Sequence, residues 1–176
     1  MNLPRVEFQI VCGDEDWGRI VVELAADRTP QTVENFLKYV DARFFDGTIF
    51  HRVLPNFMIQ GGGYTAPGQA RTRGLRGPIE NEAAGGLKNE RGTIAMARTS
   101  DPHSATSQFF INVTDNAMLD YPANDGWGYC AFGRVVEGLE VVDRIRQVQT
   151  QQDPQTGERS QPVNPPVIRK AKRLAQ

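Results

Sequence analysis

Arg52 stands in Ile49-Phe50-His51-Arg52-Val53-Leu54, an otherwise apolar run. A guanidinium in such company must reach solvent or meet hydrogen-bonding partners. The bland account of the same residue is a side chain that snorkels to the surface. Two further runs set amides beside apolar bulk. In Gln108-Phe109-Phe110-Ile111-Asn112-Val113, period-two alternation puts Phe109, Ile111 and Val113 on one face and Gln108, Phe110 and Asn112 on the other. In Phe57-Met58-Ile59-Gln60-Gly61 it groups Met58 with Gln60. An aromatic or thioether wall flanked by hydrogen-bonding amides fits a small apolar ring held between peptide groups. Taken singly, Phe110 or Met58 is the kind of residue that fills a core.

Other chemistries find little support. By alternation His51 falls opposite Arg52 and reads mainly as a hydrogen-bonded structural histidine. Only His103 accompanies it, and with no Glu or Asp at ligand spacing neither a metal nor another cofactor is expected. Ser104 and Ser107 lack the Gly-x-Ser-x-Gly turn or a paired base. Cys12 and Cys130 lie far apart and read as buried apolar thiols rather than a redox pair. A net charge of -1 and a pI near 6.1 leave no footprint for nucleic acid. The basic cluster Arg169, Lys170, Lys172 and Arg173, interleaved with apolar residues, reads as a solvated last strand.

The elements that must position these side chains follow from pattern. A chain of 176 residues fits one domain spanning residues 1–176, and no stretch approaches the roughly 20 apolar residues that cross a bilayer. The short run Val6 to Val11, interrupted by Glu7 and Gln9, is no secretory leader, so a cytoplasmic protein is expected. Strands are expected at Val6–Val11, Arg19–Leu24, Thr48–Leu54, Phe57–Gly61, Gly92–Ala97, Gln108–Val113, Tyr129–Val136 and near the C-terminus, enough for a closed antiparallel barrel. Thr29 and Pro30 open a helix with Val33, Phe36, Leu37 and Val40 on one stripe. A second helix starts near Glu137 and carries Val141, Val142, Ile145 and Val148. The stretch Gly62 to Arg91, with seven glycines and two prolines, reads as a functional loop, and the polar Gln149 to Asn164 segment as a surface connection.

Phe50-His51-Arg52-Val53, Phe57-Met58-Ile59-Gln60-Gly61-Gly62-Gly63 and Ser107-Gln108-Phe109-Phe110-Ile111-Asn112 resemble, in order and spacing, the cyclophilin family of peptidyl-prolyl isomerases. The similarity runs from about Val6 to Leu174 and takes in Gly92 to Arg98 and Phe132 to Gly138. It implies a mainly β fold, an eight-stranded antiparallel closed barrel capped by two α-helices, with the site on the barrel's outer surface. Carried over, the catalytic arginine is Arg52, and the proline pocket is Phe57, Met58, Phe110 and Leu119. Gln60 and Gln108 match the amides that hold substrate backbone, Ala97 and Arg98 the strand end beside the peptide, and His51 a histidine near the site. Met118, Tyr129 and Arg98 stand where the best-known eukaryotic members carry tryptophan, histidine and asparagine. These departures resemble bacterial members and put tight cyclosporin binding in doubt, not isomerase activity. The implied partners are proline-containing peptides and unfolded or folding proteins, met by a monomer, with no nucleic acid and no membrane. The rival reading is a non-catalytic module that binds proline segments through the same pocket.

Overall fold

The computed structural model describes residues 2–176. Its strands are β1 (Arg5–Cys12), β2 (Glu15–Leu24), β3 (Thr48–Leu54), β4 (Met58–Gly61), β5 (Tyr64–Ala66), β6 (Gln69–Ala70), β7 (Thr93–Met96), β8 (Phe109–Asn112), β9 (Ala131–Glu137), β10 (Thr150–Gln152), β11 (Arg159–Pro162) and β12 (Val167–Arg173). The helices are α1 (Pro30–Asp41) and α2 (Leu139–Arg146). Eight strands close into an antiparallel barrel in the order β1-β12-β3-β4-β8-β7-β9-β2, which leaves no edge strand open to pairing. Two short hairpins, β5–β6 and β10–β11, form separate sheets that pack against β3. No helix among the described residues is long and apolar enough to cross a membrane.

Inward-facing phenylalanines fill the barrel. Phe109 stacks on Phe8 at 5.5 Å and meets Phe36, Phe45 and Phe50 edge-on, an arrangement aromatic rings favour. Phe36 comes from α1, whose apolar stripe is buried as its spacing predicts. The cap of α1 differs from the expectation. The Thr29 hydroxyl donates back to the Ala25 carbonyl, and the distant Glu82 carboxylate accepts from the backbone N–H groups of Gln31 and Thr32. That carboxylate satisfies the free donors of the first turn and complements the positive end of the helix dipole. Helix α2 begins two residues later than expected, because Gly138 takes a left-handed φ of 98° just before it.

Two segments read as loops have structure of their own. Gly62 to Arg91 contains the β5–β6 hairpin and a 3-10 turn at Ala83–Gly85. Gln149 to Asn164 is the β10–β11 hairpin, so the expected surface connection is a structured arm. Cys130 is buried and Cys12 half-buried; both are free, and burial pushes the Cys130 thiol up to about 12. Cys12 therefore departs from the expected buried thiol.

Candidate active site

The pairing of β3 with β4 decides where Arg52 points. Phe50 pairs with Gly61 and Arg52 with Gln60, so two steps along β3 match one along β4 and His51 is the extra residue of a β-bulge. Strict alternation would send Arg52 inward with Phe50. Instead Phe50 and Val53 face the barrel interior, while His51 and Arg52 both lie outside. The expectation that these two oppose each other is thus corrected: a bulge interrupts the period of two and re-aims the arginine.

The bulge also brings Arg52 into a row. Arg52 pairs with Gln60, Gln60 with Phe110, Phe110 with Ala95 and Ala95 with Ala131, across β3, β4, β8, β7 and β9. On this outer face Met58, Ala95, Phe110 and Ala131 form a buried apolar cluster separate from the barrel core, with Leu54, Phe57, Leu87, Ala97, Leu119 and Tyr129 packed around it. Ala95 and Ala131 are fully buried within it. Beside the expected Phe57, Met58, Ala97, Phe110, Leu119 and Tyr129, the cluster draws in Leu54, Leu87, Ala95 and Ala131, which carry no polar or aromatic signal in the sequence.

Beside the cluster runs a chain of polar contacts. Arg52 Nη1 donates to Gln60 Oε1 at 3.1 Å and lies 4.0 Å from the Met58 sulfur. Gln60 Nε2 donates to Gln108 Oε1 at 2.9 Å. Gln108 is in turn confined by Gly63, where an added Cβ would come within 2.5 Å of its side chain. Gln60, Gln108, Ala97 and Arg98 line a cleft of about 180 Å³ that continues the row away from Arg52.

Arg98 does not extend into open solvent. Its side chain is 3% exposed, donates to the Gly128 carbonyl and the Asp125 carboxylate, and lies 4.3 Å from the centre of the Tyr129 ring. Backbone N–H groups of Gly128 and Trp127 and the Arg98 guanidinium hold the Asp125 carboxyl well below the usual range, the Gly128 N–H contributing most. Tyr129, packed edge-on to Phe110 at 5.8 Å, is therefore fixed from both sides. Met118 stands 63% exposed on the 3-10 turn Ala117–Leu119, whose Leu119 packs on the outer cluster.

Asn112, grouped in sequence with Gln108 and Phe110, has a different part. It is fully buried and donates to Asn89 and Thr93, while Asn116 donates both to Asn112 and to the Phe57 carbonyl. Asn89 also donates to the Tyr129 carbonyl and to Asp120. This buried amide chain ties the Phe57 turn, the Leu119 turn and the start of β9 together, so it sets the pocket walls. His51, by contrast, turns under the β10–β11 hairpin. Its ring packs 4.4 Å from Tyr64 beside a cavity of about 130 Å³, and its Nδ1 finds no hydrogen-bond partner among the described residues. The expected hydrogen-bonded histidine is thus unpaired at that nitrogen. Burial, and then the nearby Arg52 charge, lower its pKa to about 4.

One residue at the site was invisible in sequence. Glu158, at the base of the β10–β11 turn, accepts from Arg52 Nε at 2.8 Å and from Nη2 at 3.1 Å. The Arg52 hydrogen bonds hold its carboxyl below the usual range. Among the described residues no group of His, Cys, Asp and Glu is arranged to hold a metal ion.

Residues 8–173 match the family model of cyclophilin type peptidyl-prolyl cis-trans isomerases. A peptidyl-prolyl cis-trans isomerase of Streptomyces antibioticus is 55% identical over 89% of this chain and 93% of its own length. Peptidyl-prolyl cis-trans isomerase B of Escherichia coli is 54% identical over 76% of this chain and 81% of its own. A solved cyclophilin-type isomerase of Cryptosporidium parvum shares the fold, with a TM-score of 0.80 at 22% identity over 99% of both chains. A barrel with an arginine set beside an apolar notch on its outer wall, and a family match over nearly its whole length, place one conclusion on firm ground: this chain belongs to the cyclophilin-type peptidyl-prolyl cis-trans isomerases.

Proposed function

We propose that Arg52 carries the isomerisation by donating a hydrogen bond to the prolyl nitrogen as the Xaa-Pro bond twists. The barrier to that rotation is about 18–20 kcal/mol, because turning the bond breaks amide resonance. In the planar imide the nitrogen lone pair is delocalised; in the twisted state the nitrogen is pyramidal and accepts a hydrogen bond. A donor that meets only the twisted form lowers the barrier without tightening the ground state. No covalent bond forms or breaks, so no nucleophile is needed.

Phe57, Met58, Phe110 and Leu119 receive the proline ring, Gln60 and Gln108 anchor substrate backbone, and Ala97, Arg98, Met118 and Tyr129 shape the surroundings, while His51 lies beside Arg52 under the β10–β11 hairpin, away from the ring pocket. Gripping the ring while anchoring the neighbouring carbonyl lets one half turn against the other, and excluding water removes some stabilisation of the polar planar amide. The observation that carries this reading is the row Arg52, Gln60 and Phe110 on neighbouring strands, with a guanidinium nitrogen within hydrogen-bond reach of Gln60 and beside Met58. We read residues 1–176 as one domain that acts as a monomer on proline segments of unfolded or folding proteins. The two free cysteines support a reducing, cytoplasmic setting.

Exchange NMR on a short Xaa-Pro peptide tests the assignment. Wild-type protein speeds cis/trans exchange, and Arg52→Ala loses on the order of 100-fold or more of that rate, the loss typical of removing one transition-state donor. Equal rates in the two proteins would sink it, and an absence of acceleration by wild type would favour the non-catalytic binder.

A further inference from the structure

We infer that Glu158, on the β10–β11 hairpin, is a positioning residue for the isomerase reaction, holding the Arg52 guanidinium so that its free donors face the pocket. The inference deepens the role given to Arg52 and rests on it.

A guanidinium has five N–H groups arranged as a fork on its side and another at its end. Glu158 takes the side fork, Nε and Nη2, in a two-point contact, and Gln60 takes one hydrogen of Nη1. The second Nη1 hydrogen meets only the Met58 sulfur at 4.0 Å, a weak acceptor, and one Nη2 hydrogen has no partner, so these two are the donors left for a substrate. The two-point contact matters because a single hydrogen bond would leave the flat group free to swing, whereas two parallel bonds fix its plane and direction. Catalysis by a donor depends on that aim, since a group already pointed at the developing lone pair costs no reorganisation.

The hairpin is built to deliver the carboxylate. Gly157, at a left-handed φ of 76°, closes a turn in which its N–H donates to the Asp153 carbonyl and the Asp153 N–H donates to the Glu158 carbonyl. Asp153 Oδ1 accepts from Gln155 N–H at 2.7 Å, which stiffens the same turn. The Arg52 and Glu158 side chains are 35% and 34% exposed, so the pair contributes little to stability, and its value lies in orientation.

Glu158→Gln keeps the shape but removes the charge that makes the contact strong. The expected result is a fall in turnover of about tenfold with affinity for an Xaa-Pro peptide unchanged within twofold, read by exchange NMR and by titration of the same peptide. The side-chain Nε–H signal of Arg52, assigned by its loss in Arg52→Ala, is expected to be sharp and slowly exchanging in wild type and to broaden in Glu158→Gln. Glu158→Asp, one methylene short, is expected to fall between the two. Wild-type turnover in Glu158→Gln, or an Nε–H signal as well protected as in wild type, would overturn the inference. So would a loss of peptide affinity that accounts for the whole fall, since Glu158 would then be touching the peptide. If Arg52→Ala itself proves silent, the fault lies with the role of Arg52; if Arg52→Ala is inactive and Glu158→Gln is not, it lies with Glu158 alone.

Discussion

Phe109 and Phe110 are neighbours on one strand, yet they belong to different chemistries. Phe109 points inward to a ring cluster formed with Phe8, Phe36, Phe45 and Phe50. Phe110 points outward into a small cluster bordered by Gln60, Gln108 and the Arg52 guanidinium. Both are nearly inaccessible, at 0% and 4% exposure, so burial alone does not tell the structural ring from the functional one. What separates them is the company each keeps. The inner rings pack on one another, whereas the outer face pairs apolar bulk with oriented donors, the combination a peptide-binding notch requires.

Phe109→Ala breaks the inner side of this comparison and has the largest expected effect. Removing a fully packed ring costs about 3–5 kcal/mol of stability, read as a lower urea midpoint, with activity falling only as the protein unfolds. Arg52→Ala comes next and has the reverse signature, a rate loss of about 100-fold with an unfolding midpoint close to wild type. Phe110→Ala sharpens the contrast. It raises the KM for a proline peptide about tenfold and costs about 2–3 kcal/mol of stability, less than Phe109→Ala because the emptied space lies at the outer wall, where water can enter, and not in a closed core. If Phe109→Ala and Phe110→Ala shared one signature, the division into core and site would fail.

The smallest effect concerns His51. Its folded pKa, about 4, lies below the ordinary value of 6.5, so as pH falls the unfolded chain takes up the proton first. The stabilising contribution is complete above about pH 6.5, is lost between there and about pH 4, and is flat below. Between pH 7 and 5.5 the wild type is expected to lose about 1 kcal/mol through this residue. Urea midpoints at the two values check it: His51→Gln should lose less than wild type over that interval, and an equal loss would mean the histidine titrates normally.

Much of the site was legible because it lies on strands whose alternation is regular. Met58 with Gln60, and Gln108 with Phe110, were grouped correctly from a period of two. The same rule failed at Asn112, since it reports which face a side chain leaves by and not what waits there; a buried chain of asparagines covers that end of β8. It failed again at His51, where one inserted residue reverses the alternation and no residue type announces a bulge.

Apolar patterning, turn glycines and the amide-rich faces were enough, by themselves, to specify strands, helices and the type of binding surface, because local periodicity and short-range sterics act on neighbours in the chain. The aim of Arg52 was settled only when the barrel closed. Its direction depends on the register of β3 against β4, and its fork is held by a carboxylate 106 residues away, whose approach is a matter of three-dimensional packing that no local pattern encodes.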